Sequence, residues 1–106
     1  MEHLNRIELR GLIGNIRIIL VGDMKVARFS LATSASFRSK DGGIVIETTW
    51  HSVSAWEGPQ CQNLDSLAKG DFIHIIGRIR TSRITTSDGS ERIIYEVVAS
   101  MIERLS

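Results

Sequence analysis

Ile44-Val45-Ile46-Glu47-Thr48-Thr49-Trp50-His51-Ser52-Val53-Ser54-Ala55-Trp56 is rich in β-branched and aromatic residues and holds no proline or glycine, the composition of a strand. Successive side chains of a strand point to opposite faces, so Trp50, Ser52, Ser54 and Trp56 share one face while His51, Val53 and Ala55 share the other. The second set is small and apolar enough for the inside of a small barrel, and the tryptophan face is then the outside. An exposed indole offers a base a stacking surface that tolerates any sequence. Packing in the barrel core or at a subunit interface is the other use of such aromatics, and the pattern alone leaves both readings open.

The segments on either side are also strand-like. Toward the N-terminus, Ile7-Glu8-Leu9-Arg10 alternates, Gly11 and Gly14 interrupt, and Ile16, Ile18 and Leu20 resume the pattern, so a long first strand bent or bulged at glycine is expected. Gly22-Asp23 marks a turn, and Phe29, Leu31 and Thr33 set one face of a second strand, with Arg28, Ser30 and Ala32 on the other. Ser39-Lys40-Asp41-Gly42-Gly43 is a loop by composition. Beyond Gly58-Pro59, the spacing of Leu64-Asp65-Ser66-Leu67-Ala68-Lys69 predicts one or two helical turns stopped by Gly70. Phe72 to Ile84 and Arg92 to Ile102 read as a fourth and a fifth strand joined by a hairpin whose signal is Asp88-Gly89. Within the fourth strand, Gly77 reads as a barrel bend in preference to a close backbone approach. Five strands with one short helix between the third and the fourth is the element order of an all-β OB-fold, a Greek-key barrel.

At 106 residues the chain has room for one core, so residues 1–106 are expected to form a single domain. Hydrophobic residues make up 42% and charged residues 24%, as in a soluble globular protein. No apolar stretch is long enough to span a bilayer and the N-terminus opens no charged-then-apolar leader, which predicts a cytoplasmic protein. Cys61 is the sole cysteine, which excludes an internal disulfide and a thiolate zinc cluster and leaves it an idle side chain. His3, His51 and His74 are scattered, and no Walker loop or nucleophile elbow is present; no catalytic residue, metal or cofactor is expected.

A net charge of only +1 does not announce a nucleic-acid partner, so the distribution of charge has to carry that reading. Arg78, Arg80 and Arg83 lead into the last hairpin and Arg92 leads out of it, with Arg78 and Arg80 on one face. Arg38 and Lys40 flank the loop before the third strand. Cations beside aromatics are what a groove following a phosphate backbone requires.

Asn5-Arg6-Ile7, Phe29-Ser30-Leu31-Ala32-Thr33-Ser34, Thr49-Trp50-His51-Ser52-Val53, Leu67-Ala68-Lys69-Gly70-Asp71, Gly77-Arg78-Ile79-Arg80-Thr81 and Asp88-Gly89 fall, in this order, along almost the whole chain. In these segments the chain resembles the bacterial single-stranded DNA-binding protein family. The resemblance implies OB-folds that pair through their first strands, placing Ile7 and Leu9 at an oligomer interface. A homotetramer is favoured and a dimer is the alternative. It implies that Trp50 is a stacking aromatic, that Phe37 stands where the family has a stacking tryptophan, and that Trp56 stands where it usually has phenylalanine. Arg6, Arg38, Lys40, Arg80, Arg83 and Arg92 match positions that are basic in the family, and His51 matches one associated with subunit contacts.

Two departures are visible: Ile84 replaces a usual tryptophan on the hairpin, which predicts a weaker hold on DNA by that arm, and Ser52 replaces a usual arginine. Family members also continue into a Gly-, Pro- and Gln-rich linker and an acidic tip, so a chain stopping at Ser106 is expected to have no tail-mediated protein partners. It would be either a shortened form or a specialised paralogue. The implied function is non-catalytic, largely sequence-independent binding and protection of single-stranded DNA in replication, recombination or repair. The competing readings are an n-type primosomal replication protein, an OB dimer for replication restart, and an OB-fold kept as a protein-interaction module.

Overall fold

The computed structural model describes residues 1–106. Five strands follow one another: β1 (Ile7–Val21), β2 (Met24–Arg38), β3 (Ile44–Trp56), β4 (Phe72–Thr85) and β5 (Glu91–Arg104). They close into a barrel in the order β1-β2-β3-β5-β4. All neighbours are antiparallel except β3 and β5, which run parallel over Val53–Ala55 and Val97–Ala99. Closure pairs strand edges that an open sheet would leave exposed. β1 serves two neighbours, pairing with β4 through Ile7–Leu12 and with β2 from Leu12 onward.

The expected interruption of β1 is a bulge. The register with β2 shifts between Ile13 and Ile16, at Gly14, so the strand bends as it passes from one partner to the other. Gly11 lies where β1 and β2 come together: a Cβ built there would lie 2.1 Å from the carbonyl oxygen of Ala32. At Gly77 both sequence readings apply and the disfavoured one is the tighter constraint. The β4–β5 register shifts between Ile76 and Gly77, and an added Cβ would meet the Val98 carbonyl oxygen at 2.2 Å.

Inside the barrel, Ile13, Ala27, Phe29, Leu31, Val53, Ala55, Ile73, Ile75, Val97 and Ala99 form one cluster with Cys61 and Leu64. Every strand contributes alternate residues to it, as the period-two pattern requires. The Cys61 Sγ lies 3.9 Å from the Ala99 carbonyl oxygen, and burial pushes the thiol above its ordinary pKa. Because the thiolate is the reactive form, iodoacetamide at pH 8 is expected to label Cys61 slowly in the folded protein and rapidly in urea. Equal rates in both states would mean that the chain covering Cys61 opens freely.

The helical element expected over residues 64–69 is present but short: only Leu64–Ser66 turns, as a single 3-10 turn, and Leu67 is already extended. No side chain caps the turn, and a helix this short has little stability of its own. Its form is set by burial of Leu64 and partial burial of Leu67 against the core. Lys25 pairs with Asp65, tying the start of β2 to this turn.

Candidate nucleic-acid interface

Along β3, Val53 and Ala55 are buried, while Trp50 is 60% exposed and Trp56 39% exposed. The two indoles thus share the outer face, separated by six residues, or about 20 Å of extended strand. The antiparallel register lines them up with β2: Trp50 lies opposite Ala32, Ser52 opposite Ser30, Ser54 opposite Arg28 and Trp56 opposite Val26. Gly14 belongs to this face too, since a Cβ on it would lie 2.6 Å from Cζ3 of Trp50 and 2.7 Å from Oγ of Ser30. The missing side chain is therefore what lets the Trp50 ring lie over the β1 bulge.

Ser54 departs from its exposed neighbours on this face, with 4% exposure. Its hydroxyl donates to Oε2 of Glu96 at 3.0 Å, and Arg80 donates to the other carboxylate oxygen. This Ser54–Glu96–Arg80 chain joins β3 to β5 and β4 on the outer surface. Arg80 is thus a neutralised cation, and Arg83 likewise faces Glu91 at 3.6 Å. Arg6, Arg38, Lys40, Arg78 and Arg92 make no ion pair. Arg6 and Arg78 line one hollow of about 490 Å³ with Ile76, Gly77 and Ser100. Arg38 lies opposite Ile44 on the same alternation as Trp50, and Arg92 lies opposite Ile84 on the other arm.

Phe37 does not join the tryptophans. It is half exposed and pairs with Val45, in the alternation that runs through Thr49 and His51 toward the inside of the barrel. The β2–β3 hairpin therefore carries an aromatic group on each of its faces.

The two hairpin tips share one construction. In Ser39–Gly43 and in Thr86–Ser90 the first residue's hydroxyl donates to the aspartate at the third position. That aspartate accepts the backbone N–H of the fifth residue, at 3.2 Å from Gly43 and 3.0 Å from Ser90. The donors hold the Asp88 carboxyl down at about 2 and lower that of Asp41. Lys40 is carried on the first of these tips.

His51 is half-buried and shares a 2.9 Å hydrogen bond with Thr33. With Ile7, Ile79, Tyr95 and Val97 it lines a hollow of about 280 Å³ at the mouth of the barrel. Ile7 and Leu9 pack partly against the core, so their side chains look inward. Asn5 fastens the segment before them by donating to the Ile79 carbonyl at 2.7 Å and accepting from the Ile79 N–H at 2.9 Å. No three His, Cys, Asp or Glu side chains gather as metal ligands.

Sequence reasoning passed over three residues. Tyr95 is 70% exposed beside the barrel mouth; following Ile93 and Ile94 in a strand-like segment, it read as one more strand residue. Arg17 and Arg28 are directly opposite each other on β1 and β2, exposed on the tryptophan face. A usable signal existed for this pair: Gly22-Asp23 is a two-residue hairpin turn, and counting back from it sets Arg17 against Arg28.

The sequence matches the model of the single-strand binding protein family over residues 4–105. A single-stranded DNA-binding protein of Neisseria meningitidis serogroup A is 30% identical over 105 residues, 96% of this chain and 60% of that protein. One from Xylella fastidiosa is 34% identical over 104 residues, 96% of this chain and 63% of that one. The chain thus spans a little over three fifths of the length of these relatives. Among solved structures, a Plasmodium falciparum SSB in complex with ssDNA superposes with a TM-score of 0.87 at 27% identity, covering 100% of this chain and 98% of that one. The single-stranded DNA binding protein from Thermus aquaticus, as a deletion mutant, shares the fold with a TM-score of 0.79 at 24% identity, over 97% of this chain and 51% of that one. With the barrel order, the paired tryptophans and a family match running nearly end to end, the chain belongs to the single-strand binding protein family.

Proposed function

We propose that this protein binds single-stranded DNA without catalysis and with little regard to sequence, protecting exposed strands during replication, recombination or repair. The observation that carries this reading is the outer face of β3, where two exposed indoles share a surface with serines and arginines. Bases stack on Trp50 and Trp56, and on Phe37 where the strand passes to the other side of the hairpin. Arg6, Arg38, Lys40, Arg78 and Arg92 offer unpaired positive charge for phosphates, while Arg80 and Arg83 contribute less because carboxylates already face them. The Plasmodium falciparum structure, a complex with ssDNA, supports the same reading.

The working unit is a homo-oligomer, favoured as a tetramer. Ile7–Arg10 has β4 on one edge while β2 joins only at Leu12; the other edge is free to pair with a second copy's backbone. Since Ile7 and Leu9 turn inward, such pairing uses main-chain hydrogen bonds and the outward Glu8 and Arg10. His51, beside Ile79 and Tyr95 at the apolar mouth, is placed for a further subunit contact. The protein acts in the cytoplasm, on the nucleoid.

Titration of the intrinsic tryptophan fluorescence with an oligothymidine strand and with a duplex, at two salt concentrations, tests the function. The expected result is strong quenching by the single strand alone, weakened by salt. No response to either nucleic acid would move the aromatic surfaces to the protein-interaction reading.

A further inference from the structure

Two unpaired cations face each other across β1 and β2. Arg17 and Arg28 are register partners, exposed on the same face, and like charges directly opposite across two strands destabilise a sheet. Neither is among the cations that form ion pairs, which are Lys25, His74, Arg80, Arg83 and Arg104. The fold thus sets two arginines in register on neighbouring strands with no ion pair to offset either charge.

The pair borders a groove of about 380 Å³ whose lining includes Asn15, Ser30, Ser52 and Ser54. The one acidic side chain lining that groove is Glu96. Its two carboxylate oxygens are occupied by Arg80 and by the Ser54 hydroxyl, so Glu96 is turned to those partners and not to Arg17 and Arg28. Along the face, Arg28 lies opposite Ser54, between the positions of Trp50 and Trp56 on β3.

We propose that Arg17 and Arg28 together hold one backbone phosphate of the bound single strand, on the stretch of surface between the two tryptophans. This deepens the function proposed above and rests on it. A guanidinium presents planar, paired N–H donors that match phosphate oxygens. Two of them on adjacent strands can approach one phosphate from both sides, and the bound anion removes the repulsion between them. The hydroxyls of Ser30 and Ser52 add neutral donors, and the tryptophans take the bases on either side. The site therefore fixes the path of the strand across β1 and β2 as well as along β3.

The test is the salt dependence of oligothymidine binding by the full chain and three variants: the double variant Arg17→Ala/Arg28→Ala, Trp50→Ala and, as a control for lost positive charge, Arg104→Ala. A cation site that neutralises one phosphate on a single strand contributes about 0.7 to the slope of log affinity against log salt. The double variant is expected to lose about that much slope, with more than a tenfold loss of affinity at low salt and a smaller one at high salt. Trp50→Ala is expected to lose affinity at unchanged slope, and Arg104→Ala to keep both. The double variant should also melt no lower than the parent, because a repulsive pair has been removed. An unchanged slope in the double variant, or the same loss of slope in Arg104→Ala, overturns the phosphate site and leaves the binding function standing. If the parent chain itself gives no response to the strand, the function fails and the site with it.

Discussion

Trp50→Ala is expected to weaken binding of an oligothymidine strand by roughly 1–3 kcal/mol, about five- to 150-fold, while the barrel stays folded. The two halves of this expectation have separate origins. The loss comes from the stacking surface, since the Trp50 ring is 60% exposed on the outer face and presents a π surface to any base. The intact fold comes from the position of the ring outside the core cluster, in which Val53 and Ala55 are the β3 members. Trp50→Phe should recover part of the loss, because a smaller ring still stacks. Circular dichroism and thermal melting of the same samples decide the matter. A Trp50→Ala protein that unfolds would mean the indole is structural, and one that binds at full strength would remove the residue from the interface.

Much of this site could be read before any coordinates, because period-two alternation within one strand is a local property. Trp50 and Trp56 belong to one uninterrupted strand, so their common face followed from their spacing alone. Phe37 and Trp50 lie on opposite sides of a loop, and there parity depends on loop length. Ser39–Gly43 has five residues, and Arg38 pairs with Ile44 across it, which puts even positions opposite even ones and sends Phe37 to the other face. The neutralisation of Arg80 comes from the β4–β5 hairpin, where Arg80 lies opposite Glu96, and counting back from that turn reaches it. The burial of Ser54 was out of reach: it depends on the parallel contact between β3 and β5, which brings together residues 42 apart in sequence and leaves no local trace. The helical element expected from Leu64 is only one turn long for a related reason: apolar spacing there records burial of two leucines, which one 3-10 turn and an extended residue satisfy equally well.

Glycine readings follow the same division. A bend at Gly14 was legible as a break in alternation, whereas the identity of the atoms facing each glycine is a tertiary fact. Gly11 and Gly77 face backbone carbonyls, which are fixed by their own ladders. Gly14 faces an indole and a hydroxyl, both of which can rotate away. Three glycines that look alike in sequence thus carry different demands, two from the closure of the barrel and one from the seating of the Trp50 ring.

Gly11→Ala and Gly14→Ala should therefore behave differently although they lie three residues apart on β1. An alanine at Gly11 places its Cβ 2.1 Å from the Ala32 carbonyl oxygen, so either β1 and β2 separate or the pairing at Leu12 and Ala32 is lost. Overpacking of a fixed backbone contact costs about 3 kcal/mol, a fall in melting temperature of about 12–24 °C for a domain of this size. At Gly14 the nearest atom is the Trp50 Cζ3 at 2.6 Å, and a side chain can turn where a strand cannot. The Gly14 variant should keep most of its stability, shift its tryptophan emission, and bind oligothymidine more weakly because the ring has left its seat. Thermal melts alone test the first claim: a Gly11→Ala protein as stable as the parent would mean that the two strands do not approach this closely. Emission and binding test the second, since an unchanged Trp50 signal in Gly14→Ala would show that the ring does not lie over the bulge. The comparison separates the glycine that closes the barrel from the one that seats the Trp50 ring.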